Sequence, residues 1–180
     1  DAEAIELRAA PSQRYDFADA GARDVLRFIA TDAGISFIGP NDQSPNGDKP
    51  ISFSLEECPF RVLEQVCGVT NLQLIRHGNI WHLRELNEPA VLLEPLDTPE
   101  AKKLRDKSPQ QYDFNKANFG DVLRFLAVDA GIKCSMSKED PKLNTPVTFS
   151  INAAPFSVIE NICAARSIQL TLNDGLLQIQ

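Results

Sequence analysis

Apolar and polar positions alternate and then turn helical in one order, and that order occurs twice. Tyr15 and Phe17 flank Asp16, the period-two signature of a short strand. Val25, Leu26, Ile29 and Ala33 then recur at helical spacing, which predicts a helix over about 22–33 with one apolar stripe. Gly21 stands at its N-cap, Asp24 in its first turn and Gly34 where the chain leaves it. Strand-like runs follow at Ile35–Ile38 and Ile51–Leu55. Pro59 opens a second helix whose buried face is Phe60, Leu63, Val66 and Cys67. A hairpin closes the order: Leu72–Ile75, a turn at His77-Gly78-Asn79, then Ile80–Leu83.

The same signals return further on. Tyr112, Phe114, Asp121, Arg124 and Gly131 repeat Tyr15, Phe17, Asp24, Arg27 and Gly34 at a constant offset of 97. Pro146, Phe149, Pro155, Phe156, Cys163 and Leu170 repeat Pro50, Phe53, Pro59, Phe60, Cys67 and Leu74 at an offset of 96. One residue is therefore missing from the second copy between Gly131 and Pro146. The first copy carries the turn-rich run from Gly39 to Asp48 there, and a surface loop tolerates such a change. Val122, Leu123, Leu126 and Ala130 form the twin stripe, with Asn118 at the N-cap; Phe156, Ile159, Ile162 and Cys163 form the second. Ile132–Met136 and Val147–Ile151 read as strands, and Ile168–Leu172, Asn173-Asp174-Gly175 and Leu176–Ile179 as the closing hairpin. The predicted architecture is α/β (α+β): two tandem β-α-β-β-α-β-β modules over 1–86 and 109–180. Residues 87–108 form a linker with one short helix from Thr98-Pro99-Glu100 through Arg105. Val91–Leu93 is apolar enough that it is expected to pack on a module.

Composition narrows the function classes. An apolar share of 43% and a charged share of 24% are those of a globular chain, and no apolar run is long enough to span a bilayer. The start at Asp1-Ala2-Glu3-Ala4 is compatible with an export signal already removed. A net charge of −7 disfavours nucleic acid as the default partner, because that affinity comes largely from neutralising phosphates. A KH-like clamp also needs a G-x-x-G loop, and no two glycines have that spacing.

The candidate chemical groups read as structural. His77 and His82 lie five apart across a hairpin; two ligands are a thin set for a metal, and solvent-facing histidines are the expectation. Cys67 and Cys163 share one place in the second helix and are expected to be buried thiols facing the interior. Cys58 aligns with Ala154 and Cys134 with Phe37, so the repeat pairs neither. All three pairings of the four cysteines stay open, among them Cys134 with Cys163 on the facing helix. Asp24 with Arg27, and Asp121 with Arg124, are (i, i+3) pairs expected to give small surface stabilisation. Asp32 and Asp129 oppose the helix dipole where they stand, and nothing in the sequence accounts for their recurrence. No G-x-S-x-G, H-E-x-x-H or P-loop pattern occurs. No catalytic, cofactor-binding or metal residue is assigned.

The ordered set resembles the secretin and TonB short N-terminal domain, most closely as found in type IV pilus secretins. In the first copy the matching residues are Phe17, Asp24 to Arg27, Gly34-Ile35, Ile51–Leu55, Pro59, Leu63 and Gly78-Asn79-Ile80. In the second they are Phe114, Asp121 to Arg124, Gly131-Ile132, Val147–Ile151, Pro155, Ile159 and Gly175-Leu176. Gly175 stands where the first copy has Asn79, and the β-rich pore-forming region of a full secretin is not in this sequence. The resemblance implies two small sheets with two helices, a topology related to the KH fold. It implies a non-enzymatic periplasmic scaffold or interaction protein of a type IV pilus or type II secretion system, outer-membrane associated and working in protein transport. Its partners would be proteins of that assembly, and alone it would be a monomer or weak dimer, ring-forming within a full assembly. A stand-alone binding or signalling module of the TonB-receptor type is the alternative, and KH-like nucleic-acid binding the third.

Overall fold

The computed structural model of the chain describes residues 2–40, 44–87, 94–137 and 140–180. The fold is mixed α+β, and contacts divide it into two units, Asp1–Glu88 and Pro89–Gln180. Val91–Leu93, and Asn41 to Gln43 of the turn-rich run, lie outside the described residues.

The first unit runs α1 (Ala2–Arg8), β1 (Gln13–Gly21), α2 (Ala22–Asp32), β2 (Ser36–Ile38), β3 (Pro50–Glu57), α3 (Pro59–Val69), β4 (Leu72–His77) and β5 (Ile80–Glu85). β1 and β3 pair antiparallel, with Tyr15 opposite Leu55 and Phe17 opposite Phe53. β5 pairs antiparallel with β4 and parallel with β2. Val25, Leu26 and Ile29 of α2 meet Phe60, Leu63, Val66 and Cys67 of α3 in one core that also takes in Ala4, Phe37 and Trp81. Each fully buried side chain of this size stabilises the fold by about 1.5–3 kcal/mol on leaving water.

The second unit runs α4 (Pro99–Arg105), β6 (Gln110–Asn118), α5 (Phe119–Ala130), β7 (Lys133–Met136), a 3-10 turn at Pro141–Asn144, β8 (Pro146–Ala153), α6 (Pro155–Ala164), β9 (Leu170–Asn173) and β10 (Leu176–Ile179). β6 and β8 pair antiparallel, with Tyr112 opposite Ile151 and Phe114 opposite Phe149. β10 pairs antiparallel with β9 and parallel with β7. The side chain of Asn118 caps α5 by accepting from the Asp121 amide at 3.1 Å. Pro59 and Pro155 open their helices as predicted. Asp174 and Gly175 both take positive φ, the type I′ geometry that a two-residue hairpin favours.

Two features go beyond the predicted order. The helix expected in the linker forms, with the Thr98 hydroxyl accepting from the Ala101 amide at 3.1 Å, but it packs on α6 as part of the second unit. A helix not predicted, α1, packs in the same way on α3. Each unit therefore begins with a helix, and its order is α-β-α-β-β-α-β-β. The second feature is a bulge in the first strand of each unit, between Phe17 and Ala20 and between Phe114 and Ala117. Asp19 and Lys116 sit there at φ of 51° and 52°. The amide at each bulge donates to a hydroxyl on the partner strand, Asp19 to Ser52 at 2.8 Å and Lys116 to Thr148 at 3.1 Å. The bulge bends the strand away from its partner, and the hydroxyl answers the N–H that the ladder gives up.

Candidate functional site

The residues singled out from sequence do not converge on one centre. His77 ends β4 and His82 lies in β5, with ring centroids 6.1 Å apart. His82 is buried, which corrects the expectation of two solvent-facing rings. It is paired with Ile75 of β4 on one side and Ile38 of β2 on the other, and the central place of β5, buried along nearly its whole length, encloses it. Among the described residues no three His, Cys, Asp or Glu side chains gather closely enough to hold a metal ion.

Cys67 and Cys163 occupy the inner faces of α3 and α6, and both are buried. Burial pushes the Cys67 thiol up to about 12 and the Cys163 thiol higher still, so at neutral pH both are held almost wholly as thiols and react slowly. Cys58, at the N-cap of α3, is buried too; Cys134 on β7 is half-buried, and all four are free thiols. A thiol reagent added to the native protein is therefore expected to label Cys134 first, with Cys67 and Cys163 at least about 100-fold slower, since their access needs local opening. Rapid labelling of the buried pair without denaturant would show that both helices are misphased.

The recurrent Asp32 and Asp129 have a structural account. The Tyr15 hydroxyl donates to Asp32 and the Tyr112 hydroxyl to Asp129, tying the last turn of α2 or α5 to the first strand of its sheet. Gln13 adds a second donor on Asp32. These donors offset the unfavourable place of a carboxylate at a helix C-terminus. Burial raises both tyrosine pKa values, with the hydrogen bond to the aspartate second, so the phenols stay protonated donors. Arg124 donates to Asp121 at 2.7 Å across an exposed helix turn, where an ion pair contributes about 0.5 kcal/mol or less.

What remains prominent is a surface. Phe28 on α2 is 56% exposed and Phe125, its counterpart on α5, 54%. Phe28 meets Phe17 edge-on with centroids 5.8 Å apart, and Phe17 meets Phe53 at 5.3 Å. Phe125 meets Phe114 at 5.9 Å, and Phe114 meets Phe149 at 5.3 Å. Each unit thus carries a ladder of three phenylalanines that ends in solvent, starting from the half-buried Phe53 in the first unit and the fully buried Phe149 in the second. Asp24 and Thr31 are exposed around Phe28; Asp121, Arg124 and Val128 are exposed around Phe125. The sequence held the signal, a phenylalanine just outside each apolar stripe, but the stripe drew attention to the core. Sheet edges are the other surface feature: β1 and β3 form a two-stranded sheet, and β7 is an outer strand of its sheet. Their unpaired backbone groups can template an added strand.

Exposed apolar tips and strand edges are features through which proteins commonly meet partners. No helix among the described residues is long and apolar enough to cross a membrane. No protein-family model matches the chain, and no curated protein matches it.

Proposed function

We propose that the chain is a non-enzymatic scaffold or protein-interaction piece of a type IV pilus or type II secretion system, acting in the periplasm at the outer membrane. The observation that carries this reading is the exposed aromatic tip, Phe28 and Phe125, at one place in both units. An exposed phenylalanine is worth little to its own fold. Two of them on equivalent helices give a partner two equivalent handles, and linked weak contacts combine into useful affinity. The sequence resemblance supplies the setting, and the sheet edges supply a second mode of contact.

The test is photo-crosslinking in the producing bacterium, with the crosslinking residue at position 28 or 125. Adducts with components of an outer-membrane pilus or secretion assembly are expected. Phe125→Ser with crosslinking at 28 should weaken them about tenfold, the loss expected when one of two linked contacts goes. Adducts with a TonB-dependent receptor or its regulator would replace this reading by the signalling alternative. The nucleic-acid alternative is tested by titration with single-stranded RNA. The net charge of −7 leads us to expect no binding at physiological salt, and sub-micromolar, salt-resistant binding would promote the KH-like reading.

A further inference from the structure

Cys134 is the one half-buried thiol, and the repeat shows what stands near it. Its counterpart in the first unit is Phe37, as the counterpart of Cys163 is Cys67, and Phe37 and Cys67 belong to one packed core. In the second unit Cys134 is on β7 opposite Leu177 of β10, and Leu177 is opposite Leu172 of β9. Leu177 and Leu172 are buried, so this row faces the interior, where α6 buries Cys163 completely. The electrostatic influence of Cys134 on the Cys163 thiol is consistent with their nearness. Two cysteines therefore stand where the first unit has a phenylalanine ring and a cysteine.

We propose that Cys134 and Cys163 are a closable thiol pair, which a small-molecule disulfide such as oxidised glutathione converts to one disulfide tying β7 to α6. The Cys134 thiolate attacks a sulfur of the reagent; the reagent's S–S bond breaks and one glutathione leaves as a thiol. Cys163 gives up its proton and attacks the Cys134 sulfur of the mixed disulfide, and the second glutathione leaves. The protein loses two electrons and two protons, and the reagent gains them as two thiols. The order follows from access, since Cys134 is the sulfur a solute reaches first. The burial of Cys163 makes the second step the slow one. Cys58 and Cys67 form no such pair: they stand at opposite ends of α3, roughly 13 Å apart at 1.5 Å per residue, well beyond what a disulfide spans. The closed loop is long enough for the bond to stabilise the unit by restricting its unfolded chain.

The experiment treats the native chain with oxidised glutathione, quenches samples by alkylation and maps non-reduced digests by mass. The expected course is glutathione on Cys134 first, then a peptide linking Cys134 to Cys163, with a rise in thermal midpoint that a reductant reverses. Cys163→Ala should trap the mixed disulfide at Cys134. Cys134→Ser, a change at a half-exposed site that leaves the fold intact, should abolish the adduct, the link and the thermal shift together. A mixed disulfide that persists on Cys134 in the native sequence overturns the proposal. So does a Cys134 that never reacts, or a link that forms to Cys58 or Cys67 instead.

Discussion

Arg105→Ala is expected to lower the stability of the second unit by about 3 kcal/mol, while Arg8→Ala lowers that of the first far less. The two arginines hold the same place in α4 and α1 and pair with glutamates at the same place in α6 and α3. Their surroundings differ. Glu160 has a side chain only 9% exposed, on a helix otherwise facing inward through Val158, Ile159 and Ile162. It accepts from Arg105 Nε at 2.7 Å, Arg105 Nη2 at 2.6 Å and the Leu96 amide at 3.0 Å. Arg105 Nη2 also donates to the Leu96 carbonyl at 2.5 Å, so one buried carboxylate and one guanidinium pin the strand-less approach to α4. Removing the guanidinium leaves a carboxylate with one amide donor in an apolar setting, and that desolvation is the cost. Arg8 reaches Glu64 at 2.5 Å and 3.1 Å, but their side chains are 41% and 35% exposed, and water takes over when the pair is broken. Urea titration followed by far-ultraviolet circular dichroism measures Arg105→Ala. Fluorescence of Trp81, the one tryptophan, follows the first unit for Arg8→Ala. Adding Glu160→Met to Arg105→Ala should recover most of the loss, because the orphaned charge goes with it. Equal losses at the two arginines would mean that burial does not separate the pairs.

This pair also marks where the sequence stops being legible. The repeat, the stripes, the proline-opened helices and the hairpin turns all announce themselves in local pattern, because each answers a local need: a period, a fixed φ, a positive φ. The opening helices do not. Seven residues give too few turns for periodicity, and the only trace is Ala4, Leu7 and Arg8 repeated as Ala101, Leu104 and Arg105 at the same offset of 97. The bulges are silent for another reason. Asp19 and Lys116 take positive φ with ordinary side chains, and the hydroxyl that steadies each bulge is more than 30 residues away. The recurrence of Asp32 and Asp129 was visible without its cause, since the tyrosine that answers each is 17 residues upstream on another element. The candidate surface was half-visible: Phe28 and Phe125 could be seen to repeat, but only tertiary packing says which side of a helix meets water. His82 was misplaced because a hairpin residue near a polar turn reads as exposed until its strand acquires neighbours on both sides.

Gly47→Ala is expected to destabilise the first unit by about 2 kcal/mol, and Arg23→Gly to remove much of that penalty. Gly47 has no positive φ, so space and not backbone freedom fixes its identity. A Cβ there would lie 2.6 Å from Nη2 and 3.0 Å from Cζ of Arg23. Arg23 has little room to yield. Its side chain is 3% exposed, Nη1 donates to the Pro40 carbonyl at 2.9 Å, and Nη2 stands 3.6 Å from the Asp48 carboxylate. The added methyl must push a buried guanidinium off that carbonyl, which exchanges a charge-assisted hydrogen bond for strain. The second unit solves the same packing with the sizes reversed. Gly120 stands where Arg23 does, Leu143 where Gly47 does, and the buried Leu143 brings its Cβ to 3.7 Å from where one on Gly120 would be. Large-on-small in one unit and small-on-large in the other is what a shared volume requires, since interiors pack at crystal-like density. A double-mutant cycle on Gly47→Ala and Arg23→Gly, read by Trp81 fluorescence in urea, should give a coupling of about 1–2 kcal/mol. Each single change breaks the match, whereas the pair together leaves room for the methyl. Additivity within about 0.5 kcal/mol would show that the two residues do not compete for one space, and the exchange with Gly120 and Leu143 would then be unrelated to packing.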